Sequence, residues 1–377
     1  MKKGIGLIAF GGKEWIGGIY YIRNIAYQLS LNGDITDKYN IVIFTQEDQL
    51  DAFRDLPSSI RIETVKHGKK NLISFLYRVV RNHISCLYPS TRSIQLLNLK
   101  GIWWIPDFQY KTLPNLFSAK EIEFKDRDIR VNVDKGTKII VSSGAALNDF
   151  YTYFSPKEDQ VSVMRFISYI EPIINSIRSE EEILTLHKYG LDKGSYTCIM
   201  NQFWQHKNHI VVLNAMRELY KKHPDIDFKF VFSGNLSDYR AQNYIEKIKK
   251  IFDEDIIRQN SIVTGFIDRK EQIILMKNSA FIIQPSLFEG WGTVVEDAKV
   301  LNKTILLSDI PVHREQCNNK CTLFDPYNPL ALADLIESEV KKEHIDEIEV
   351  GIEDAHKRAR QYSEGFVKTL KEMGEKI

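Results

Sequence analysis

The sequence predicts an α/β protein built from two doubly wound, Rossmann-like domains. The chain has 377 residues, which is enough for two domains of ordinary size. Short apolar runs rich in β-branched residues alternate with helical patterns almost throughout, and this alternation is typical of βαβ units around a parallel sheet. It forms two series that meet near "SYIEPIINS" at 168–176, so we expect two such domains facing each other across a cleft.

The elements of each series follow in order along the chain. In the first series we expect a helix over 18–33 and strands over 4–10, 39–45, 101–107 and 137–143. In the second we expect helices near 207–222, 238–253 and 269–278, and strands over 196–202, 228–234, 261–265, 280–286 and 303–309. We place the domains at 1–170 and 171–356, and we expect the closing helix over 357–377 to join the first domain.

Composition is that of an ordinary soluble protein, with 43% hydrophobic and 27% charged residues. No apolar run approaches the roughly 18 residues that span a bilayer. The N-terminal "MKKGIGLIAFGGKEW" fits a first strand better than a signal peptide, because two glycines follow its short apolar segment. We therefore expect a cytoplasmic protein whose cysteines, including Cys317 and Cys321, are free thiols.

Charge is distributed unevenly behind a net value of +1. Residues 1–170 carry a net charge of +6 and the remainder −5, so one half is suited to an anionic surface. The basic stretch 66–84 has a helical pattern with Lys69, Lys70, Arg78 and Arg81 around an apolar face made by Leu72, Phe75, Leu76, Val79 and Val80. A helix of this kind is typical of a peripheral membrane contact, and a core helix with a basic outer face fits equally well.

The stretch "FIIQPSLFEGWGTVVEDAKVLNKTILLSD" (281–309) carries the strongest functional signal. It places Glu289 beyond the carboxyl end of a buried strand, where ligands bind in such sheets. Gly290 and Gly292 allow close approach of the backbone, and a helix beginning near Thr293 points its free N–H groups at the loop. A phosphate suits this position. Glu296 or Asp297 could reach a ribose hydroxyl pair, although acidic residues also simply complement a helix N-terminus.

The segment "PSLFEGWGTVVEDAK" resembles the donor-binding signature of glycosyltransferase family 4, which comprises retaining enzymes of the GT-B fold. Where that signature has its second glutamate, this sequence has Asp297, with Glu296 one position earlier. The resemblance runs from residue 4 to about 320. It includes "GGIYYIRNIAYQL", "FVFSG", "SIVTGFIDRKEQIILMKNSAFIIQPS" and "IPVHREQ", while "WWIPDFQYKTLPNLFS" and "IIVSSGAALNDF" resemble a subset of bacterial polysaccharide transferases.

The resemblance implies transfer of a hexose from a nucleotide-sugar, with GDP-mannose suggested by the subset, to a lipid-linked or growing surface glycan such as O-antigen lipopolysaccharide. It implies catalytic roles for Glu289, on the sugar hydroxyls, and for Lys207, on the donor pyrophosphate. Further donor contacts are implied for Gln202, Gly234, Gly290, Trp291, Gly292, Thr293, Val294, Glu296 and Asp297, and acceptor-side or phosphate contacts for Gly17, Gly18 and Asp107. No metal, cofactor or nucleic acid is expected.

One departure from the family pattern keeps other functions open. The family places an arginine five residues before the lysine, but "NQFWQHKNH" has Gln202 there. A neutral amide cannot make the bidentate, charge-assisted phosphate contact of a guanidinium. A non-catalytic subunit that binds nucleotide-sugar or glycan is therefore an alternative, as is a sugar-nucleotide epimerase of the same fold. The "DRD" at 126–128 lies among charged residues and is predicted to be surface rather than a metal site.

Overall fold

The structure, a computed structural model, describes residues 2–10, 16–66, 71–90, 100–238, 240–344 and 347–373. The chain divides into two compact units. The first comprises the described residues of Met1–Phe108, Ala119–Tyr169 and Asp354–Ile377, and the second those of Gln109–Ser118 and Ile170–Glu353.

The helices alternate with parallel strands, as βαβ connections require. In chain order they are α1 Ile16–Ser30, α2 Gly33–Thr36, α3 Leu72–Arg81, α4 Gln109–Thr112, α5 Ala119–Asp134, α6 Gly144–Phe154, α7 Glu171–Ser176, α8 Ser179–Tyr189, α9 His209–Lys222, α10 Gln242–Phe252, α11 Asp255–Asn260, α12 Arg269–Asn278, α13 Thr293–Val300, α14 Pro311–Gln316, α15 Pro329–Val340 and α16 Ile348–Glu372.

The first unit contains two parallel sheets. Their strands are β1 Lys3–Ala9, β2 Tyr39–Thr45, β3 Ile60–Thr64, β4 Ile84–Tyr88, β5 Trp103–Ile105, β6 Ile139–Val141 and β7 Val161–Val163. The strand orders are β3-β2-β1-β4 and β5-β6-β7, and a parallel bridge between Leu87 and Gly101 connects β4 to the chain entering β5. The combined order is that of a doubly wound sheet.

Helix α3 packs on this sheet through one narrow face. Phe75 and Val79 are buried in a cluster with side chains of β1, β2 and β4. Leu72 and Val80, which the sequence pattern placed on the same face, are 41% and 72% exposed. The buried face is therefore narrower than the apolar pattern indicated, and Lys69 and Lys70 lie outside the described residues.

The second unit has one six-stranded parallel sheet, in the order β10-β9-β8-β11-β12-β13. Its strands are β8 Tyr196–Met200, β9 Lys229–Ser233, β10 Ser261–Gly265, β11 Phe281–Gln284, β12 Ile305–Ser308 and β13 Cys321–Phe324. The central strands β8 and β11 are buried along their whole length, as a sheet covered by helices on both faces requires. From β8 the chain runs outward to β10 and then returns to β11 beside β8, so the topological switch point lies between these two strands.

Each of the two units thus has the parallel, doubly wound character predicted for it, and the predicted fold class is confirmed. The expected strands over 39–45 and 261–265 coincide with β2 and β10, and the one over 4–10 is shifted by one residue from β1. The other six predicted strands are two to four residues longer than the observed strands. Four strands, β3, β4, β7 and β13, lie outside the predicted set.

Candidate functional site

Two buried amides join the carboxyl ends of β8 and β11. Asn201 Nδ2 donates to Gln284 Oε1 at 2.8 Å, and Gln284 Nε2 donates back to Asn201 Oδ1 at 3.2 Å. The pair bridges adjacent strands at the switch point, which is where ligands bind in open α/β sheets. A reciprocal amide pair satisfies these polar groups without introducing charge, so it holds the floor of the site rigid.

Glu289 lies directly above this amide pair. Its Oε1 accepts hydrogen bonds from Gln284 Nε2 at 2.9 Å, Ser286 Oγ at 2.7 Å and Lys207 Nζ at 2.6 Å. None of the described residues donates to Oε2. The side chain is 10% exposed. One carboxylate oxygen is thus fixed by protein donors, and no donor from the described residues meets the other.

The surroundings keep Glu289 ionised and two nearby histidines neutral. Burial opposes ionisation of Glu289, but the adjacent Lys207 charge outweighs it and lowers the pKa of the carboxyl to about 2. Burial lowers the pKa of His206 to about 3, and the Lys207 charge adds to the effect. Burial likewise lowers the pKa of His313. At neutral pH the net charge of this cluster is therefore set by the Lys207–Glu289 pair alone.

His313 also holds the loop that carries Glu289. Its Nδ1 lies 2.9 Å from the carbonyl oxygen and 3.0 Å from Oγ of Ser308, and Ser308 Oγ donates to the Ser286 carbonyl at 2.5 Å. Ser286 in turn donates to Glu289. This chain of contacts connects α14, β12 and the loop after β11.

The N-terminus of α13 is partly taken up by a side chain of α14. Gln316 Oε1 accepts from the Gly292 N–H at 3.0 Å, and its Nε2 donates to the Gly292 carbonyl at 3.2 Å. The N–H of Gly292, expected to meet a phosphate, is thus already bonded. Among the described residues we find no acceptor for the N–H groups of Thr293 and Val294, which begin the helix. These two remain the donors that an anion at this helix end would meet.

Glu296 and Asp297 are both fully buried and paired with cations. Glu296 Oε1 accepts from Gln316 Nε2 at 3.0 Å and from Lys299 Nζ at 3.3 Å. Asp297 Oδ1 accepts from Arg269 Nη2 at 2.5 Å. Val294 of the same helix is half-buried, whereas both carboxylates are buried. A ribose contact by either carboxylate therefore requires the donor to reach a group that already has a protein partner.

Gln202 and Gly234 lie on two loops that pack against each other. Gln202 Oε1 accepts from the Asn235 N–H at 2.8 Å, which ties the loop after β8 to the loop after β9. A Cβ on Gly234 would lie 2.4 Å from the Asn201 carbonyl oxygen, and the residue has φ +135°. Close packing of these two loops thus already requires a glycine at 234.

Three predicted acceptor-side residues lie in the first unit. Gly17 and Gly18 fall in the first turn of α1, not ahead of it, and a Cβ on Gly17 would meet nothing within 4 Å. Asp107 follows β5 and lies near Asp149 of α6. Burial and the charge of Asp107 raise the pKa of Asp149.

No helix in the described part of the chain is long and apolar enough to cross a bilayer. No three or more His, Cys, Asp or Glu side chains in the same part are grouped so that they could hold a metal ion.

The part of the chain that holds this site matches a known protein family. Residues 186–361 match the family model described as glycosyl transferases group 1. This segment is therefore similar to group 1 glycosyl transferase domains. It contains β8 to β13 and therefore the whole cluster around Glu289. A search of curated protein sequences finds no significant match.

Solved glycosyltransferase structures share the fold of the entire chain. A glycosyltransferase from Rickettsia africae is 14% identical over 100% of both chains, with a TM-score of 0.70. Anabaena Alr3699/HepE, in complex with UDP and glucose, is 13% identical over 98% of this chain and 99% of that chain, with a TM-score of 0.71. WaaG, a glycosyltransferase involved in lipopolysaccharide biosynthesis, is 14% identical over 98% and 100%, with a TM-score of 0.56. These likenesses establish the GT-B fold around the group 1 domain.

Sequence reasoning missed much of what surrounds Glu289 in this domain. The missed residues are Asn201, His206, Gln284, Ser286, Ser308, His313 and Gln316. A signal was present for some of them, because "MNQ" and "IQPS" place polar residues at the carboxyl ends of apolar strands.

The expectation of free thiols at Cys317 and Cys321 is wrong, because the two form a disulfide with a Cα–Cα distance of 5.6 Å. Disulfides are uncommon in cytosolic proteins, so these cysteines do not support the predicted compartment.

Proposed function

We propose that this protein is a retaining glycosyltransferase that moves a hexose from a nucleotide-sugar to a surface polysaccharide acceptor. The observation that carries the proposal is the Glu289 carboxylate at the switch point of the group 1 domain. Its Oε1 is fixed by Lys207, Gln284 and Ser286, and its Oε2 faces no described donor. A fixed, ionised carboxylate with one available oxygen is suited to binding hydroxyls of a donor sugar.

The proposed chemistry is positioning and charge stabilisation. The bond between the anomeric carbon and the donor phosphate breaks while the acceptor oxygen bonds to the same face of that carbon. The acceptor proton passes to the departing phosphate. Lys207 and the N–H groups of Thr293 and Val294 would stabilise the charge that develops on that phosphate. This scheme needs no metal, and metal independence is part of the proposal.

Replacement of Glu289 by alanine tests the assignment directly. We expect sugar transfer to be lost while nucleotide binding survives, because the carboxylate contacts the sugar and not the nucleotide. The matched control is Glu337→Ala, since Glu337 lies in the same unit on α15 and pairs with Lys222 and Lys341. Full transfer activity in Glu289→Ala would rule the proposal out.

The donor is proposed at the level of its class. The resemblance to bacterial polysaccharide transferases suggests GDP-mannose, whereas the Anabaena neighbour was solved with UDP and glucose. A thermal-shift series with GDP-, UDP-, dTDP- and ADP-sugars distinguishes these, since a ligand at 100 times its Kd adds about 2.7 kcal/mol to the free energy of unfolding. The base class that shifts the melting temperature identifies the donor.

A non-catalytic binding subunit is the second candidate, and Gln202 favours it. Its amide holds Asn235 at 2.8 Å and carries no charge for a leaving phosphate. A protein of this kind would bind nucleotide-sugar without transferring it to any acceptor. An epimerase of the same fold would instead release an altered sugar when no acceptor is present, so product analysis with and without acceptor separates the three activities.

The acceptor is proposed to be lipid-linked and to approach the first unit near Gly17, Gly18 and Asp107. In support of a membrane contact, α3 carries an outward row of apolar side chains at helical spacing. Ile73, Tyr77 and Val80 are 81%, 62% and 72% exposed. Arg78 and Arg81 both pair with Glu63, so the apolar row would supply more of the attraction than these two charges.

Vesicle sedimentation tests this contact. Ile73→Ser with Val80→Ser should reduce binding to anionic vesicles at unchanged thermal stability, because both side chains are exposed. Leu184→Ser is the control, since Leu184 is 68% exposed on α8 of the second unit. Equal vesicle binding by the wild type and the α3 variant would remove the peripheral membrane contact from the proposal.

A further inference from the structure

The disulfide between Cys317 and Cys321 lies directly beside the candidate site. Cys317 follows Gln316 at the end of α14, and Cys321 is the first residue of β13. Cys321 is paired in register with Ile305 of β12, and the Ile305 N–H donates to the Lys320 carbonyl at 2.9 Å. The disulfide therefore attaches the end of a short helix to a fixed position of the sheet.

Helix α14 holds both ends of the loop that carries Glu289. His313 is linked through β12 to Ser286, at the start of the loop. Three residues later, Gln316 is bonded to the N–H and the carbonyl of Gly292, at the end of the loop. A helix of six residues is not stable by itself, so the position of α14 depends on these contacts and on its attachments at either end.

Gln316 occupies a backbone donor that an anion at the start of α13 would otherwise meet. Its Oε1 accepts from the Gly292 N–H at 3.0 Å, and its Nε2 donates to Glu296 at 3.0 Å. The side chain is only 1% exposed, so it cannot turn into water while the end of α14 stays in place. Because the disulfide begins at the next residue, the oxidised protein keeps the Gly292 N–H occupied.

The disulfide can be reached by a reductant, and it adds little to overall stability. Cys317 and Cys321 are both half-buried, and Asn318 and Asn319 between them are exposed. The other two cysteines of the chain are fully buried. The bond joins residues only four positions apart, and the stabilisation that a disulfide gives grows with the length of the loop it closes. A dithiol can therefore open this bond without unfolding the unit.

We propose that the Cys317–Cys321 disulfide is a redox-sensitive site that controls the donor site through α14. This inference rests on the proposed function and deepens it. A thiolate of a reducing dithiol attacks one sulfur of the bond, and the other cysteine leaves as a thiolate. The second thiol of the reductant then displaces the first cysteine. The protein gains two electrons and two protons, and the dithiol becomes a disulfide. Gln316 can then leave Gly292, whose N–H becomes available to a phosphate of the donor.

The first measurement does not depend on activity. Hydrogen exchange followed by mass spectrometry would compare the full chain in oxidised and in reduced dithiothreitol. We expect the amides of 286–297 and 311–316 to exchange about tenfold faster after reduction, because α14 has lost one of its attachments. A count of reactive thiols in the folded protein should rise by two, since the remaining cysteines are buried.

The second measurement is the affinity of each form for UDP and GDP by calorimetry. We expect the reduced protein to bind the accepted nucleotide about fivefold more tightly, because one more N–H can meet a phosphate. Gln316→Met removes the competing acceptor, so its affinity should be the same in both forms while its thiols still respond to dithiothreitol.

Two variants of the disulfide loop complete the test. Cys317→Ser with Cys321→Ser should behave as the reduced protein with or without dithiothreitol. Asn319→Ser is the matched control, because Asn319 is exposed in the same loop and the disulfide is retained, so it should respond as the wild type does.

The outcomes separate this inference from the proposed function. A thiol count, an exchange rate or a nucleotide affinity that is equal in oxidised and reduced wild-type protein would overturn the inference and leave the proposed function standing. If neither form binds UDP or GDP, the proposed function fails, and this inference fails with it.

Discussion

Exchanging Glu289 for glutamine should destabilise the protein mainly through the charge that it leaves on Lys207. Glutamine has nearly the shape of glutamate, and its Oε1 can still accept from Gln284 and Ser286. The Lys207 ammonium, 2.6 Å from that oxygen and on a side chain only 16% exposed, would lose its counter-charge. An ammonium held in such a position without an anion is costly because water cannot fully replace the carboxylate.

The magnitude follows from the burial of the two partners. Breaking a fully buried pair from one side costs about 3–5 kcal/mol. Because water reaches part of this pair, we expect about 2–3 kcal/mol for Glu289→Gln. Lys207→Met should cost less, about 1–2 kcal/mol, since the carboxylate keeps its bonds to Gln284 and Ser286. The double variant should be about 2 kcal/mol more stable than the sum of the two losses predicts.

The assay is denaturant unfolding of all four proteins at pH 7 and low ionic strength, arranged as a double-mutant cycle. The exposed pair of Arg258 and Asp255 on α11 is the control, and Arg258→Met with Asp255→Asn should show a coupling of about 0.5 kcal/mol or less. If the losses from Glu289→Gln and Lys207→Met add to within about 0.5 kcal/mol, the pair contributes nothing beyond its separate side chains. The reasoning from burial would then be refuted.

Three further outcomes are expected from features near the site. Burial, with the nearby Lys207 charge, lowers the pKa of His209 to about 3, so the unfolded state binds the extra proton and stability should fall as the pH drops below 6.5. The loss at pH 5 should be about 2 kcal/mol, and His209→Phe should remove that share of the pH dependence in unfolding measured at pH 7 and pH 5. Gly234→Ala should cost about 3 kcal/mol or more, whereas Gly33→Ala, where a Cβ meets nothing within 4 Å, should change stability by less than about 1 kcal/mol in thermal unfolding. Gly17→Ala should leave the melting temperature unchanged yet slow sugar transfer about tenfold or more if the acceptor phosphate meets this backbone; an unchanged transfer rate would remove Gly17 from the proposed site.

The strand and loop that carry Glu289 could be predicted from the sequence, because their positions depend on local residue pattern and chain order. A run of apolar residues ends at Gln284, and Pro285 cannot donate to a sheet. Glu289 had to follow the carboxyl end of that strand, and parallel strands place all such ends at one edge. Strands β7 and β13 were missed because "VSV" and "CTLF" are too short to show a period, and both are mostly half-buried edge strands.

The hydrogen-bond partners of Glu289 could not be predicted from local pattern. Lys207 and Glu289 are 82 positions apart, and Asn201 and Gln284 are 83 apart, so neither contact leaves a trace in local spacing. Gln316 lies on a helix six residues long, where its reach back to Gly292 depends on the register of β12 against β11. Such contacts form only when the sheet is assembled, so no short segment of the sequence predicts them.

Glu296 and Asp297 of α13 show how contacts between distant residues change what a side chain can bind. From the sequence, Glu296 or Asp297 was expected to reach a ribose hydroxyl pair or to complement the helix N-terminus. Both carboxylates are instead buried, each with a cation beside it, and the same holds for Glu289 and Asp238 at this edge of the sheet. The four pairs are Glu289–Lys207, Asp238–Arg240, Glu296–Lys299 and Asp297–Arg269.

A site balanced in this way does not attract an anionic donor through net charge. Under the proposed function, donor affinity would come from directional donors, such as the first N–H groups of α13, and from cations that can exchange a carboxylate for a phosphate. Lys207 is the cation for which that exchange has a consequence. When its ammonium turns toward the diphosphate, the Glu289 carboxylate loses a partner at Oε1 and becomes a stronger acceptor for the sugar hydroxyl. Binding of the phosphate and recognition of the sugar would then be coupled through one ion pair.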